Sequence, residues 1–391
     1  MFIEVRGVNF FNKGAELMLR AIVQQYSAYD SNAKFAIGFR IGTYRQRTTL
    51  GLYHLARTNS LNFKLADLII NILLKLLPKQ IRRALHIVLA DEIDVILDAS
   101  GLAYSDQIYR ADDYAQLTSR LSNEWRKKGK TFILMPQAFG PLQNKKLRVA
   151  LSNIVKNADL VYPRDRISYT CLQDLVNDST KIKVSPDFTN LISGEILPEF
   201  ELSSNQVCII PNYRMLDRTD AAVKAIYPLF LTKCINHLID AGLKPFILIH
   251  ESKKDIELYL QIKNDLKASI PVIQESNALY IKGMIGSCYA VISSRFHGLV
   301  NSLSQKVPSI ATGWNHKYLA LLEDYDCQEC LIEVTDSSAL ILEKLNLVIN
   351  AESRSLIIQK LNKACHVQLQ QTNQMWQEIH QTIRSKSKND F

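Results

Sequence analysis

Short apolar runs alternate with longer amphipathic segments along most of this chain. In the first half, Phe2–Val5, Lys34–Phe39, Ile93–Leu97, Thr131–Met135 and Asp159–Tyr162 read as strands. Segments of helical periodicity fall between them, as in Arg110–Lys128 and Lys145–Asn157. The second half repeats the alternation through Val207–Ile210, Pro245–Ile249, Val272–Gln274, Ala290–Ser293, Ser309–Ala311 and Leu331–Val334. Strand and helix alternating twice over predicts two parallel α/β halves. Between them Ile192–Asn205 is irregular, with Gly194, Pro198, Ser203 and Ser204, which places domains at 1–195 and 196–391. A long helical tail closes the second half, and its end, Arg384–Phe391, is polar and expected to fray.

One stretch, residues 61–86, fits neither half. Apolar residues cover most of a helix circumference between Leu68 and Leu77, with Lys64, Lys75, Lys79, Arg82 and Arg83 around them. It suits a helix packed on the sheet or on a second copy of the chain in a homo-oligomer. It also suits an interfacial helix whose cations meet an anionic membrane surface. No apolar run reaches the roughly 18–20 uninterrupted residues of a membrane-spanning helix. The start passes directly into the strand-like Phe2–Val5 with no secretory leader pattern. The expected location is the cytoplasm, with peripheral contact at the inner membrane face as the furthest excursion.

Composition narrows this only a little. With 391 residues, 47% of them hydrophobic and 22% charged, the chain has room for two cored domains. A formal charge of +9 suits anionic substrates, an anionic membrane or nucleic acid. Arginine-rich blocks interleaved with aromatics are missing, which sets nucleic acid aside. The seven cysteines are odd in number and dispersed, as in a protein of reduced thiols. Cys327 and Cys330 form a single CxxC with no second pair, so no metal site is expected.

Chemistry concentrates in one turn. The run Tyr289–Ile292 stops at Ser293 and Ser294; Arg295 and His297 follow, and Gly298 opens a helical pattern of Leu299, Val300 and Leu303. Another apolar run begins at Val307–Pro308. Ligands of open α/β sheets collect at the carboxyl ends of such strands. The turn gathers a fixed cation, an imidazole, two hydroxyls and a helix N-terminus, a set suited to holding an anion while moving one proton. The plainer alternative is a capping histidine beside an arginine paired with some carboxylate.

Ser294-Arg295-Phe296-His297-Gly298, with Pro308 closing the next strand, resembles the signature of the polysaccharide pyruvyl transferase family. Gly7–Glu16 (GVNFFNKGAE) is similar to that family's first strand and Asn-x-Gly turn into a helix. Asp98–Asp106 (DASGLAYSD) stands where members carry a glycine cluster, and Met135–Pro141 (MPQAFGP) resembles their Pro-Gln-x-x-Gly-Pro segment. Tyr162–Ser168 (YPRDRIS), Ser185-Pro186-Asp187-Phe188 and Gly313–Leu322 (GWNHKYLALL) continue the likeness in order over nearly the whole chain. Two features depart from it: the glycine cluster is reduced to Ser100-Gly101, and Ala15 replaces a customary acidic residue, leaving Glu16. These departures touch acceptor recognition more than donor recognition.

The resemblance implies a glycosyltransferase-B-like architecture: two Rossmann-like domains facing across a cleft, with a C-terminal helical tail crossing back. It implies transfer of a pyruvyl group from phosphoenolpyruvate, as co-substrate and without another cofactor, to hydroxyls of a sugar in a surface or exopolysaccharide or its precursor, lipid-linked or free. Forming the ketal needs a proton on the enol methylene, cations for two anionic groups and an acceptor of hydroxyl protons. His297 is expected to donate the proton and Arg295 to clamp the donor through its planar fork. Ser293, Ser294, Arg164, Arg214 and Lys317 are the further donor-side candidates, with His316 weaker. On the acceptor side stand Asn12, Glu16, Asp106 and Gln137, with Glu16 or Asp106 as the hydroxyl base. A nucleotide-sugar glycosyltransferase of like architecture and a non-catalytic glycan-binding protein are the rival readings.

Overall fold

The computed structural model describes residues 1–56, 72–200, 203–249, 253–313 and 317–388. The first sheet is built from β1 (Phe2–Arg6), β2 (Lys34–Gly38), β3 (Tyr53–Ala56), β4 (Ile87–Leu89), β5 (Val95–Asp98), β6 (Thr131–Gln137) and β7 (Leu160–Pro163). All neighbours pair in parallel, in the order β4-β3-β2-β1-β5-β6-β7. Every residue of β5, β6 and β7 is buried. Strands covered on both faces carry continuous apolar runs, which is why these were visible in the sequence.

Helices supply the cover. Helix Ala111–Lys127 buries Ala111, Ala115, Thr118, Ser122 and Trp125, a stripe at three- and four-residue spacing. Its first turn carries Asp112 and Asp113 and its last Arg126 and Lys127, each opposing the nearer end of the helix dipole. Asn144 caps helix Lys145–Asn157 by accepting from Lys146 and Leu147 N–H, and Leu147, Leu151 and Ile154 of that helix join the same core.

The second sheet comprises β8 (Gln206–Ile210), β9 (Lys244–Ile249), β10 (Val272–Gln274), β11 (Ala290–Ser293) and β12 (Ser309–Ala311), parallel in the order β10-β9-β8-β11-β12. Helix Ala221–Asp240 packs on it through Tyr227, Phe230, Leu231, Cys234, Ile235 and Leu238. Two long helices, Ser338–Ile349 and Ala351–Lys388, end the chain.

The chain divides into two compact units with interleaved membership. The first holds Met1–Phe10, Met18–Phe188 and Gln371–Phe391; the second holds Phe11–Leu17 and Thr189–Gln370. The change of unit thus falls at Phe188/Thr189 rather than after 195, and the last turns of the tail group with the first unit. Helix α1 (Lys13–Tyr29) begins among residues of the second unit.

Three local readings differ. The expected strand Leu331–Val334 reduces to one bridge, Ala311 to Leu331, because Asp336 accepts from Glu333 N–H at 3.1 Å and turns the chain toward the next helix. Strands β3 and β4 were not foreseen: β3 carries His54 among its four residues, and β4 directly follows the apolar segment 61–86, whose pattern reads as helix. The apolar segment at 61–86 lies partly outside the described residues. From 72 onward it is helical at 72–76 and again at Lys79–Ala84, broken at Pro78. Ile72, Leu73, Leu76, Ile81 and Leu85 are exposed there. Arg82 and Arg83 are both tied to Glu92, at 3.3 and 2.8 Å. Among the described residues no helix is long and apolar enough to cross a membrane.

Candidate active site

The turn after β11 is rigid because nearly every polar group in it is used. Ser293 Oγ accepts from Arg295 N–H at 3.1 Å and donates to Arg295 C=O at 2.9 Å. Gly298 is required beneath it, since a Cβ there would stand 2.4 Å from Ser293 Oγ. Tyr227 Oη donates to Ser294 Oγ at 2.6 Å, and the Ser294 carbonyl accepts from Asn212 Nδ2 and Tyr318 Oη, both at 2.9 Å. Burial pushes the Tyr227 and Tyr318 hydroxyls above their ordinary pKa, so both remain protonated donors.

Arg295 is 8% exposed. Its Nη2 donates to Asp255 Oδ2 at 2.5 Å and its Nε to the Pro211 carbonyl at 3.2 Å. Asp255 is completely buried and also accepts from Tyr213 N–H at 3.0 Å. A buried pair of this kind fixes geometry, because separating it would strand a charge. Asp255 carried no sequence signal; in Glu251-Ser252-Lys253-Lys254-Asp255 it reads as one more solvated helix residue.

His297 is the next residue but one and is half-buried on the first turn of helix Phe296–Leu303. Gly14 packs directly on its ring: a Cβ at Gly14 would fall 2.0 Å from Nδ1. Around Gly14, Ala15 N–H donates to Asn12 Oδ1 at 3.1 Å, and Lys13 Nζ donates to Glu16 Oε2 at 3.0 Å and to the Ser276 carbonyl at 2.7 Å. The Asn-x-Gly turn is therefore the seat of the imidazole, a role that spacing alone does not reveal. Lys317 Nζ lies 5.2 Å from the centroid of the Phe296 ring.

The second unit thus gathers Asn12, Glu16, Ser293, Ser294, Arg295, His297 and Lys317 around one turn. Arg214, in the same unit, is exposed and pairs with Asp217 one helical turn away at 2.7 Å. His316 lies outside the described residues. The other candidates belong to the first unit and are engaged structurally. Arg164 pairs with buried Asp187 at 3.1 Å. Gln137 is wholly buried with Nε2 on the Asp98 carbonyl, and Asp106 accepts from Gln143 and Asn144 N–H to close a loop. Cys327 and Cys330 are buried, and burial pushes the Cys327 thiol up to about 12, so neither is a poised thiolate. Among the described residues no group of three or more His, Cys, Asp or Glu could hold a metal ion.

Comparison with solved structures defines the class first. Anabaena HepE in complex with UDP-glucose superposes with a TM-score of 0.58 at 13% identity, over 98% of this chain and 100% of that one. A glycosyltransferase from Rickettsia africae gives 0.60 at 14% identity, over 99% and 98%. UDP-GlcNAc 2-epimerase from Methanocaldococcus jannaschii gives 0.54 at 9%, over 90% and 94%. The fold is that of the glycosyltransferase-B proteins, two parallel α/β units with a C-terminal helical segment. Within that class the chain belongs to the polysaccharide pyruvyl transferase family, which it matches over residues 12–316. No curated protein matches it in sequence.

Proposed function

We propose that the protein transfers the pyruvyl group of phosphoenolpyruvate to two hydroxyls of a sugar in a surface polysaccharide or its precursor. The observation that carries this reading is the family match together with a turn that holds one imidazole against Gly14, beside a cation fixed by Asp255. In this reading His297 protonates the enol methylene, leaving an oxocarbenium-like carbon. One sugar hydroxyl attacks that carbon, phosphate departs with the C–O electron pair, and the second hydroxyl closes the ketal.

The Ser293 and Ser294 hydroxyls are already engaged, so the donor anion is assigned to the amides opening helix Phe296–Leu303, to Lys317 and to the field of Arg295. Glu16, which also pairs with Lys13, is assigned as the hydroxyl base because it lies on the first turn after Gly14, which packs on His297, whereas Asp106 closes a loop of the first unit. The reading takes phosphoenolpyruvate as co-substrate with no further cofactor. It also places the protein on a lipid-linked acceptor, at the cytoplasmic membrane face, where exposed Ile72, Leu73, Leu76, Ile81 and Leu85 stand among Lys75 and Lys79.

The test is direct. Phosphoenolpyruvate at about 100 times its dissociation constant should stabilise the protein by roughly 2.7 kcal/mol. With an acceptor glycan in heavy water, the ketal methyl should gain one solvent deuterium. Stabilisation by UDP-glucose and not by phosphoenolpyruvate would replace this reading with the nucleotide-sugar transferase.

A further inference from the structure

A second built feature lies on the first unit, at the carboxyl edge of its sheet, and uses none of the residues assigned above. The loop leaving β2 presents Phe39 and Tyr44 to solvent, 53% and 61% exposed. Both rings lie against His54 of β3, with centroids 5.5 and 6.2 Å from the imidazole. His54 is only 6% exposed, and its Nδ1 has no hydrogen-bond partner among the described residues. Burial, with Arg47 and His86 nearby, lowers its pKa to about 4, so this floor is an uncharged polar ring at neutral pH.

The loop is held rather than loose. Buried Arg47 donates through Nη1 to the carbonyls of Phe39 (3.1 Å), Ile41 (2.9 Å) and Gly42 (2.8 Å). Thr43 and Gln46 form a reciprocal capping box at the start of α2 (Tyr44–Thr49). Gly42 adopts φ +71°, and a Cβ there would meet the Phe10 ring at 2.4 Å, so this loop is seated on the loop that leaves β1. Strands β1 and β5 flank the point where the strand order reverses, the usual ligand position in open α/β sheets.

Two large aromatic rings kept in water by a three-carbonyl clamp are costly unless something covers them. Exposed aromatic faces seated on a buried ring suit a ligand with one apolar CH face and a hydroxylated rim. That description fits a pyranose. Arg45 is exposed on the first turn of α2, and its charge suits an acidic substituent on or next to the stacked sugar.

We infer that Phe39 and Tyr44, seated on His54 and clamped by Arg47, form a sugar-stacking subsite for the glycan acceptor. Its identification with the acceptor rests on the function proposed above; the ledge as a sugar site does not.

The experiment uses the full chain with methyl β-D-glucopyranoside and its uronic acid, read by saturation-transfer NMR and titration. Saturation should concentrate on H1, H3 and H5, the protons of one ring face, with the acid binding more tightly. In the double variant Phe39→Ala/Tyr44→Ala, affinity for both sugars should fall about tenfold, the sum of two stacking contacts. Melting temperature and phosphoenolpyruvate binding should stay as in the parent. Failure of both sugars to bind the parent, or unchanged affinity in the folded double variant, overturns the subsite. Ring-dependent sugar binding without pyruvyl transfer would sink the proposed function and leave the ledge standing. Transfer that ignores the rings would do the reverse.

Discussion

At the scale of single residues, the site depends on contacts that leave no room for substitution. Gly14→Ala improves local helix propensity, yet its methyl would occupy space held by the His297 ring. If that ring delivers a proton to the donor, pushing it aside by about 1 Å should lower kcat by about 100-fold. KM for phosphoenolpyruvate should barely change, stability should fall by the roughly 1–3 kcal/mol of an overpacked contact, and a variant of normal kcat would show that Gly14 does not seat the proton donor. His297→Asn keeps the size but cannot supply a proton, and turnover should fall by about 10²–10⁴-fold with donor binding retained. A near-normal rate would move the proton to another group. Asp255→Ala tests the pair beneath. Leaving Arg295 buried without its carboxylate should cost about 3–5 kcal/mol of unfolding free energy by denaturant titration. A loss below about 1 kcal/mol would mean that the pair is screened.

At the scale of elements, the C-terminal helix offers a pH-dependent contact. Its His380 stacks on Tyr29 of α1 at 3.7 Å and on Trp376 at 5.7 Å, all within the first unit. Burial lowers the His380 pKa to about 4, from an ordinary 6.5. Above 6.5 the imidazole is neutral whether folded or unfolded. As pH falls from about 6.5 toward about 4 only the unfolded chain takes up the proton, so stability is lost across that window. His380→Phe should flatten this part of the stability profile, whereas an unchanged profile would assign the loss to other groups, His54 first among them.

The same scale explains what the sequence disclosed. Strands such as Thr131–Gln137 are buried at every position and apolar through their middle because helices cover both faces, so they were legible. Strand β4, Ile87–Leu89, was hidden because it directly follows the apolar segment 61–86, which reads as one helix. In the site, the turn Ser293–Gly298 was visible because its residues are consecutive. Asp255, Asn212 and Tyr227 were not, since each reaches it from a different strand end or helix. Gln137 and Asp106 looked available only because a sequence does not show that the Asp98 carbonyl and the Gln143 amide already use them.

At the scale of the whole molecule, the formal charge of +9 and the exposed apolar residues at 72–85 bear on where the protein works. A soluble monomer gains nothing by exposing Ile72, Leu73, Leu76, Ile81 and Leu85 within fourteen residues. Lys75 and Lys79 are exposed among them, while Arg82 and Arg83 share the single carboxylate of Glu92, which offsets one of their two charges. Two available lysines attract an anionic surface by about 1 kcal/mol each, which is too weak alone. Insertion of the apolar side chains must supply the rest. The expectation is therefore specific: cosedimentation with vesicles containing phosphatidylglycerol, weakened but not abolished at high salt, where charges are screened within about 3 Å. Leu73→Ser/Leu76→Ser should abolish it, while Lys75→Gln/Lys79→Gln should only reduce it. Binding to neutral vesicles as strong as to anionic ones would remove the lysines from the contact. No binding in low salt, with a dimer by sedimentation equilibrium, would give the apolar face to a second copy of the chain.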